Sequence, residues 1–262
     1  MAVAERSNRQ VLVTPIGRQI ADRAKLLLRD AEDIMELARS AQSPMTGPMR
    51  LGVIPTISPF LLPRVLPILR QRFSQLTLFL REEHTARLLT RLEEGELDVA
   101  LIALPYDTDD LCIDILVEDE FLFACSRDHA LAGVEEISLE ALAGEHLLLL
   151  EEGHCLRGHT LAVCGLGNKR AQAQFEASSL HTLVQMVAAG IGVTLIPRLA
   201  VDAHITLGTG ISLAPLCVPA ARQLGLVWRR TSVRGSDFAQ LASTLRELTE
   251  AGFSQAEPTV AC

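Results

Sequence analysis

Aromatic residues are scarce in this chain: one Trp, one Tyr and eight Phe among 262 residues. Its core must therefore be built from Leu, Val, Ile and Ala. Long apolar runs are missing too, and none approaches the ~18 residues that cross a bilayer. The first ten residues include Glu5, Arg6, Asn8 and Arg9 and lack the apolar segment of an export signal. A cytoplasmic location is expected. Dense basic runs are absent and the net charge is −8. A nucleic-acid-binding surface needs clustered Lys and Arg, so none is expected within these residues. Cys-x-x-Cys pairs and zinc-type Cys/His spacings are also lacking, and neither a metal nor a cofactor is expected.

What remains is an ordinary globular composition, 48% apolar and 21% charged, long enough for one large domain or two small ones. Residues 9–14 read as a short strand. Thr14 followed by Pro15 is a helix start, an N-cap with proline at the first helical position. The helix should run to about Gln42, where Ser43-Pro44 and Gly47-Pro48 stop it. Ile20, Ala24, Leu27, Ala31, Ile34, Ala38 and Ala41 recur at alternating spacings of four and three, a heptad seam. Packing on its own domain would use that seam. With a Pro/Gly linker behind it and no nearby partner segment, a dimerising helix is the stronger reading.

From Arg50 strands and helices alternate. Strands are predicted at 50–55, 76–81 and 97–104, with helices at 59–73 and 85–94, which implies a parallel sheet covered by helices. A second unit follows, with strands at 120–126, 146–150, 193–197 and 224–229 and helices at 179–189 and 236–251. The expected fold class is α/β, two Rossmann-like units preceded by a long linker helix. Ligands of open parallel sheets bind beyond the carboxyl ends of the strands. Pro55-Thr56 and the turn Glu151–His154 lie at such ends, which points to one site between the units.

The most informative run is Glu-Glu-Gly-His-Cys-Leu-Arg-Gly-His-Thr-Leu-Ala-Val-Cys (151–164). Cys155 is flanked by His154 and Arg157, which can stabilise a thiolate, while Glu151 and Glu152 oppose one. Cys164, nine residues on, is close enough in sequence to resolve an oxidised Cys155. Without an export signal, thiols should stay reduced. Cys112, Cys125 and Cys217 sit among apolar neighbours and read as small buried hydrophobes. Cys262 closes an unordered tail, 256–262.

Two segments resemble LysR-type transcriptional regulators: Leu-Glu-Glu-Gly-Glu-Leu-Asp-Val-Ala-Leu-Ile (92–102) and Met-Val-Ala-Ala-Gly-Ile-Gly-Val-Thr-Leu-Ile-Pro (186–197). Two more, Ile-Pro-Thr-Ile-Ser-Pro-Phe-Leu-Leu-Pro (54–63) and Glu-Gly-His-Cys-Leu-Arg (152–157) with its spaced second cysteine, resemble the peroxide-sensing members of that family. The resemblance covers residues 5–255. It implies a periplasmic-binding-protein-like regulatory region: residues 1–14 as the end of a winged helix-turn-helix wing, 15–47 as the linker and dimerisation helix, 48–118 with 216–255 as subdomain I, and 119–215 as subdomain II. Members begin with a DNA-reading domain of about sixty residues, which this sequence lacks. They form homodimers and homotetramers, bind promoter DNA through that domain, contact RNA polymerase and are not enzymes. A glutaredoxin or thioredoxin system would reduce the oxidised form.

By the same resemblance Cys155 is the peroxidatic cysteine and Cys164 the resolving one. Hydrogen peroxide would lie near Thr56, Thr85 and His154, and Arg222, with Arg157 locally, would favour the thiolate. Only the thiolate attacks peroxide, and a few per cent of an ordinary thiol is ionised at pH 7, so full ionisation gains at most roughly thirty-fold. The rest must come from groups that orient peroxide and stabilise the leaving hydroxide. Thr56 and Thr85 have an alternative use as helix caps. If 156–163 is helical, the cysteines stand about 13 Å apart along the axis, whereas a disulfide needs Cα atoms within about 7 Å. Closing the bond would force segment 154–168 to rearrange. Gly158, His159 and Thr160 depart from the family pattern, and Gly158 weakens a helix by up to ~1 kcal/mol. Two other readings are a LysR-type regulator that binds a small organic effector, with incidental cysteines, and a thiol peroxidase.

Overall fold

A computed structural model describes residues 2–6, 11–40, 43–108, 110–142, 144–165 and 176–250. The expected tail 256–262 lies outside them. Strands β1 (Ala4–Arg6) and β2 (Val11–Val13) form a small antiparallel pair that leads into helix α1 (Pro15–Ser40). Thr14 caps α1 as its sequence demands: Gly17 N donates to Thr14 Oγ1 at 3.1 Å. Among the described residues the seam of α1 is bare in this chain, with Leu27 and Ile34 both 70% exposed. The reading in which α1 packs on its own domain is therefore not realised.

The first α/β unit follows the predicted order: β3 (Gly47–Val53), α2 (Ser58–Arg72), β4 (Leu76–Glu82), α3 (Thr85–Glu93), β5 (Val99–Leu104). β3 runs parallel to both β4 and β5. β5 is buried at every position because it lies inside the sheet, between β3 and a later strand. Gly52 lets α3 close on that sheet: a Cβ there would stand 2.6 Å from Leu88 and 2.7 Å from Leu97.

The remaining elements are β6 (Leu111–Ser126), α4 (Leu139–Leu142), β7 (Leu149–Leu150), α5 (Cys155–Val163), β8 (Glu176–Ala177), α6 (Leu180–Ala188), β9 (Thr194–Pro197), α7 (Arg198–Asp202), β10 (Ile211–Pro215), β11 (Ala221–Arg229) and α8 (Gly235–Glu250). The large sheet has the order β10-β6-β11-β5-β3-β4, with β9 also on β6. β6 is far longer than the predicted 120–126. Its first part pairs with β11 and its end with β9 and β10, all antiparallel. The second unit is thus less purely parallel than expected; parallel pairing survives in β7–β8 and in the Ile137–Leu216 and Leu147–Val193 bridges. The chain enters the second unit along β6 and leaves it along β11, and these two strands pair antiparallel to each other.

Cys125 is buried as expected and Cys112 half-buried, but Cys217 is exposed. Burial alternates beyond β10, so Leu216 turns inward and Cys217 outward. No helix among the described residues is long and apolar enough to cross a membrane.

Candidate functional site

The segments that follow β3, β4 and β7 carry the candidate residues, and the sequence had pointed to two of these three strand ends, Pro55-Thr56 and Glu151–His154. β3 delivers Thr56, which is 1% exposed. It does not cap α2, whose N-cap is Ile57 without a side-chain bond. Instead Thr56 Oγ1 accepts from Arg222 Nη1 at 2.8 Å, and Thr56 O accepts from Arg222 Nη2 at 3.0 Å. Arg222 is wholly buried, with its Nε and Nη2 both 2.9 Å from Asp119 Oδ2. Asp119 Oδ1 accepts from Leu199 N, the second residue of α7. A buried guanidinium is tolerable only when paired and hydrogen-bonded, and these contacts supply both. The network joins β3, β6, α7 and β11.

The β4–α3 turn supplies the next group. The N-cap of α3 is His84, in extended conformation, and Thr85 is the first helical residue, so Thr85 caps nothing. Thr85 is 1% exposed and its Oγ1 has no protein partner. His84 Nε2 lies 3.2 Å from His154 Nε2, with the rings edge to face at 4.3 Å. His154 is buried, and its Nε2 also lies 3.2 Å from Ser178 O. Burial first, and then His84, hold His154 below the ordinary imidazole range, so it is neutral. The Ser178 carbonyl puts the proton on Nε2, which leaves Nδ1 as a buried atom without a protein partner.

His154 is the N-cap of α5, a nine-residue helix that begins at Cys155. The turn before it depends on Gly153, whose φ is +100° and whose missing side chain would meet His84 Nδ1 at 2.8 Å. Leu156, Thr160 and Leu161 bury one face of α5. Cys155 and Cys164 are both free and half-buried. Cys164 is the C-cap, and burial pushes its thiol up, so it rests protonated. His159 Nε2 contacts Pro105 O at 3.3 Å, at the end of β5. Burial lowers His159, and the nearby charge of Arg222 adds to that. Arg157 donates to Leu150 O at 3.0 Å and to Glu176 at 2.8 Å, so its charge is shared with a carboxylate.

The structure thus joins Thr56 to Arg222, and sets His154, the residue before Cys155, against His84 in the turn that bears Thr85. Arg157 is committed to β7 and β8. Sequence reasoning missed His84, Asp119 and His159. A histidine just before a helix-starting threonine was one available signal. Asp119 lay hidden in the acidic run Glu118-Asp119-Glu120, which reads as a solvated surface.

Residues 42–250 match the LysR substrate binding domain, and the chain belongs to that family. Its two α/β halves are the periplasmic-binding-protein-like arrangement of that domain. Among individual proteins, the chain is 36% identical over 248 residues to the HTH-type transcriptional regulator EstR of Acinetobacter baylyi, covering 94% of this chain and 82% of that protein. It is 37% identical over 252 residues to the DNA-binding transcriptional dual regulator OxyR of Escherichia coli, covering 96% and 82%. Among solved structures, a cysteine-to-serine mutant of Corynebacterium glutamicum OxyR with H2O2 bound superposes with a TM-score of 0.79 at 33% identity, over 100% of this chain and 85% of that one.

Proposed function

We propose that this chain is the regulatory part of a peroxide-sensing transcriptional regulator, and that α5 is its switch. The observation that carries this reading is the placement of two free cysteines at opposite ends of one nine-residue helix. Cys155 stands at the first helical position, where unpaired backbone N–H groups and the helix dipole favour an anion. Its thiolate attacks one peroxide oxygen, the O–O bond breaks, and hydroxide leaves with a proton from the site. Cys155 becomes a sulfenic acid. The Cys164 thiol then attacks that sulfur, water leaves, and the disulfide forms.

Thr85 Oγ1 and His154 Nδ1 support the peroxide-binding role, being buried polar atoms with no protein partner. Thr56 and Arg222 form the polar wall behind them, and Arg157 fastens α5 to β7 and β8. About 13 Å of helix separates the cysteines, so the bond closes only if α5 unwinds. Residues 48–118 with 216–255 serve as subdomain I and 119–215 as subdomain II, and rearrangement of α5 alters their packing. Residues 15–47 form the dimerisation helix, whose bare seam is covered by a second copy in a homodimer or homotetramer. The regulator acts on antioxidant promoters through a DNA-reading domain and RNA polymerase, in the cytoplasm, and is reset by glutaredoxin or thioredoxin.

Peptide mass spectrometry of protein treated with one equivalent of hydrogen peroxide is expected to find a 155–164 cross-link, absent in Cys155→Ser. No cross-link would sink the proposal in favour of a regulator that binds an organic effector. Sustained peroxide consumption with thioredoxin would instead mark a peroxidase.

A further inference from the structure

His84, Glu151 and His154 each offer a ligand atom, and these three atoms lie within 4.8 Å of one another. Spacing in the sequence gave no sign of this, because the two histidines are seventy residues apart and meet only through the fold. We propose that these residues bind a divalent transition-metal ion, zinc in the first instance, and that the ion locks α5 against oxidation. The locking half rests on the redox reading of Cys155 and Cys164, while the binding half does not.

The geometry suits zinc. Zn–N bonds of roughly 2.0–2.1 Å at a tetrahedral angle place two imidazole nitrogens ~3.3 Å apart. The Nε2 atoms of His84 and His154 are already 3.2 Å apart. Two imidazoles and one carboxylate form the three-ligand set of open zinc sites, whose fourth position is taken by water. Both histidines stand at helix N-termini, where the dipole disfavours a cation. Glu151 offsets this as a ligand, and Glu82 adds a second negative charge close enough to act on His154. His154 Nε2 turns its lone pair to the ion and releases Ser178 O, and the ring proton moves to Nδ1.

The consequence for the switch is mechanical. His84 caps α3 and His154 caps α5, directly before Cys155. Disulfide formation must carry Cys155 away from its place at the start of α5. An ion held by His84 and His154 pins that start to α3, so metal binding favours the helical form by mass action.

The test titrates reduced protein with Zn2+ against a chromogenic chelator, and with Co2+ for its visible spectrum. Expected are one ion per chain bound through His84, a cobalt spectrum without thiolate charge transfer, and affinity at least roughly tenfold weaker in His84→Gln. Glu151→Gln weakens binding as well, and decides the matter should His84→Gln fail to fold. Equal affinity in the wild type and a folded variant overturns the site, as does a thiolate cobalt spectrum. In the second arm, one equivalent of Zn2+ slows peroxide-driven disulfide formation at least roughly tenfold in the wild type and leaves His84→Gln at its chelated rate. Tight His84-dependent binding with no slowing overturns the lock alone. Chelated wild type that never forms the 155–164 bond refutes the redox reading, and leaves the titration standing.

Discussion

Asp119 and Arg222 face each other in the register of β6 and β11, and their side chains meet at 2.9 Å with essentially no access to water. A buried pair broken on one side leaves the other charge uncompensated, at a cost of about 3–5 kcal/mol. Asp119→Ala and Arg222→Met are each expected to lose that much in urea unfolding. The double variant Asp119→Leu/Arg222→Met should regain most of the loss, because apolar replacement of a whole buried pair is often neutral. It should still react slowly with peroxide, since Thr56 no longer has its arginine. A double variant with unchanged peroxide rate removes Arg222 from the proposed chemistry.

Gly158 is helical and exposed, and a Cβ there would meet nothing within 4 Å. Alanine fits without strain and stabilises a helix by about 1 kcal/mol relative to glycine. Gly158→Ala is expected to slow closure of the 155–164 bond up to roughly fivefold, the factor that such a difference sets. Quenched-flow alkylation followed by mass spectrometry measures it. Equal or faster closure would mean that α5 need not unwind before the bond forms.

Acid should loosen the site. His154 and His159 are both held below the ordinary imidazole value of 6.5, each chiefly by burial. The unfolded chain therefore binds their protons more readily, and stability falls as pH drops below 6.5 towards the lowered values. Above that value both are neutral in either state and contribute no slope. Urea midpoints between pH 7.5 and 5 are expected to decline, and the decline should shrink in His154→Gln/His159→Gln. An undiminished slope in the double variant assigns the acid sensitivity elsewhere.

The seam of α1 predicts assembly. Ile20, Leu27 and Ile34 are 45%, 70% and 70% exposed, at a spacing that suits knobs-into-holes packing. Leu27→Glu with Ile34→Glu should shift the protein towards monomer in sedimentation equilibrium while peroxide reactivity persists. Unchanged mass would place the subunit contact on another surface.

Much of this fold was legible in the sequence because its signals are local. Thr14-Pro15 marks the start of α1, and the apolar run 99–104 marks a strand buried on both faces. The misses share a different cause. β6 begins at Leu111 rather than at the expected 120, and Asp119, which an acidic run makes look solvated, is buried against Arg222. β11 likewise begins at Ala221 rather than at the expected 224, and Arg222 is tolerated inside the strand because it is paired with Asp119. The cysteine pair was legible by motif, but the contact of His154 with His84 was not, because a contact across seventy residues leaves no mark on spacing.

One rung of the β6–β11 ladder reaches further than its size suggests. Glu120 and Ala221 are direct partners, so the chain leaves that rung and returns to the same rung after residues 121–220. The half that carries Cys155 and Cys164 is thereby a closed excursion whose two ends already lie side by side. Such a piece can be gained, lost or exchanged with a short turn in its place and no break in the remaining sheet. A regulator built this way can change what it senses without redesigning the body that reports it.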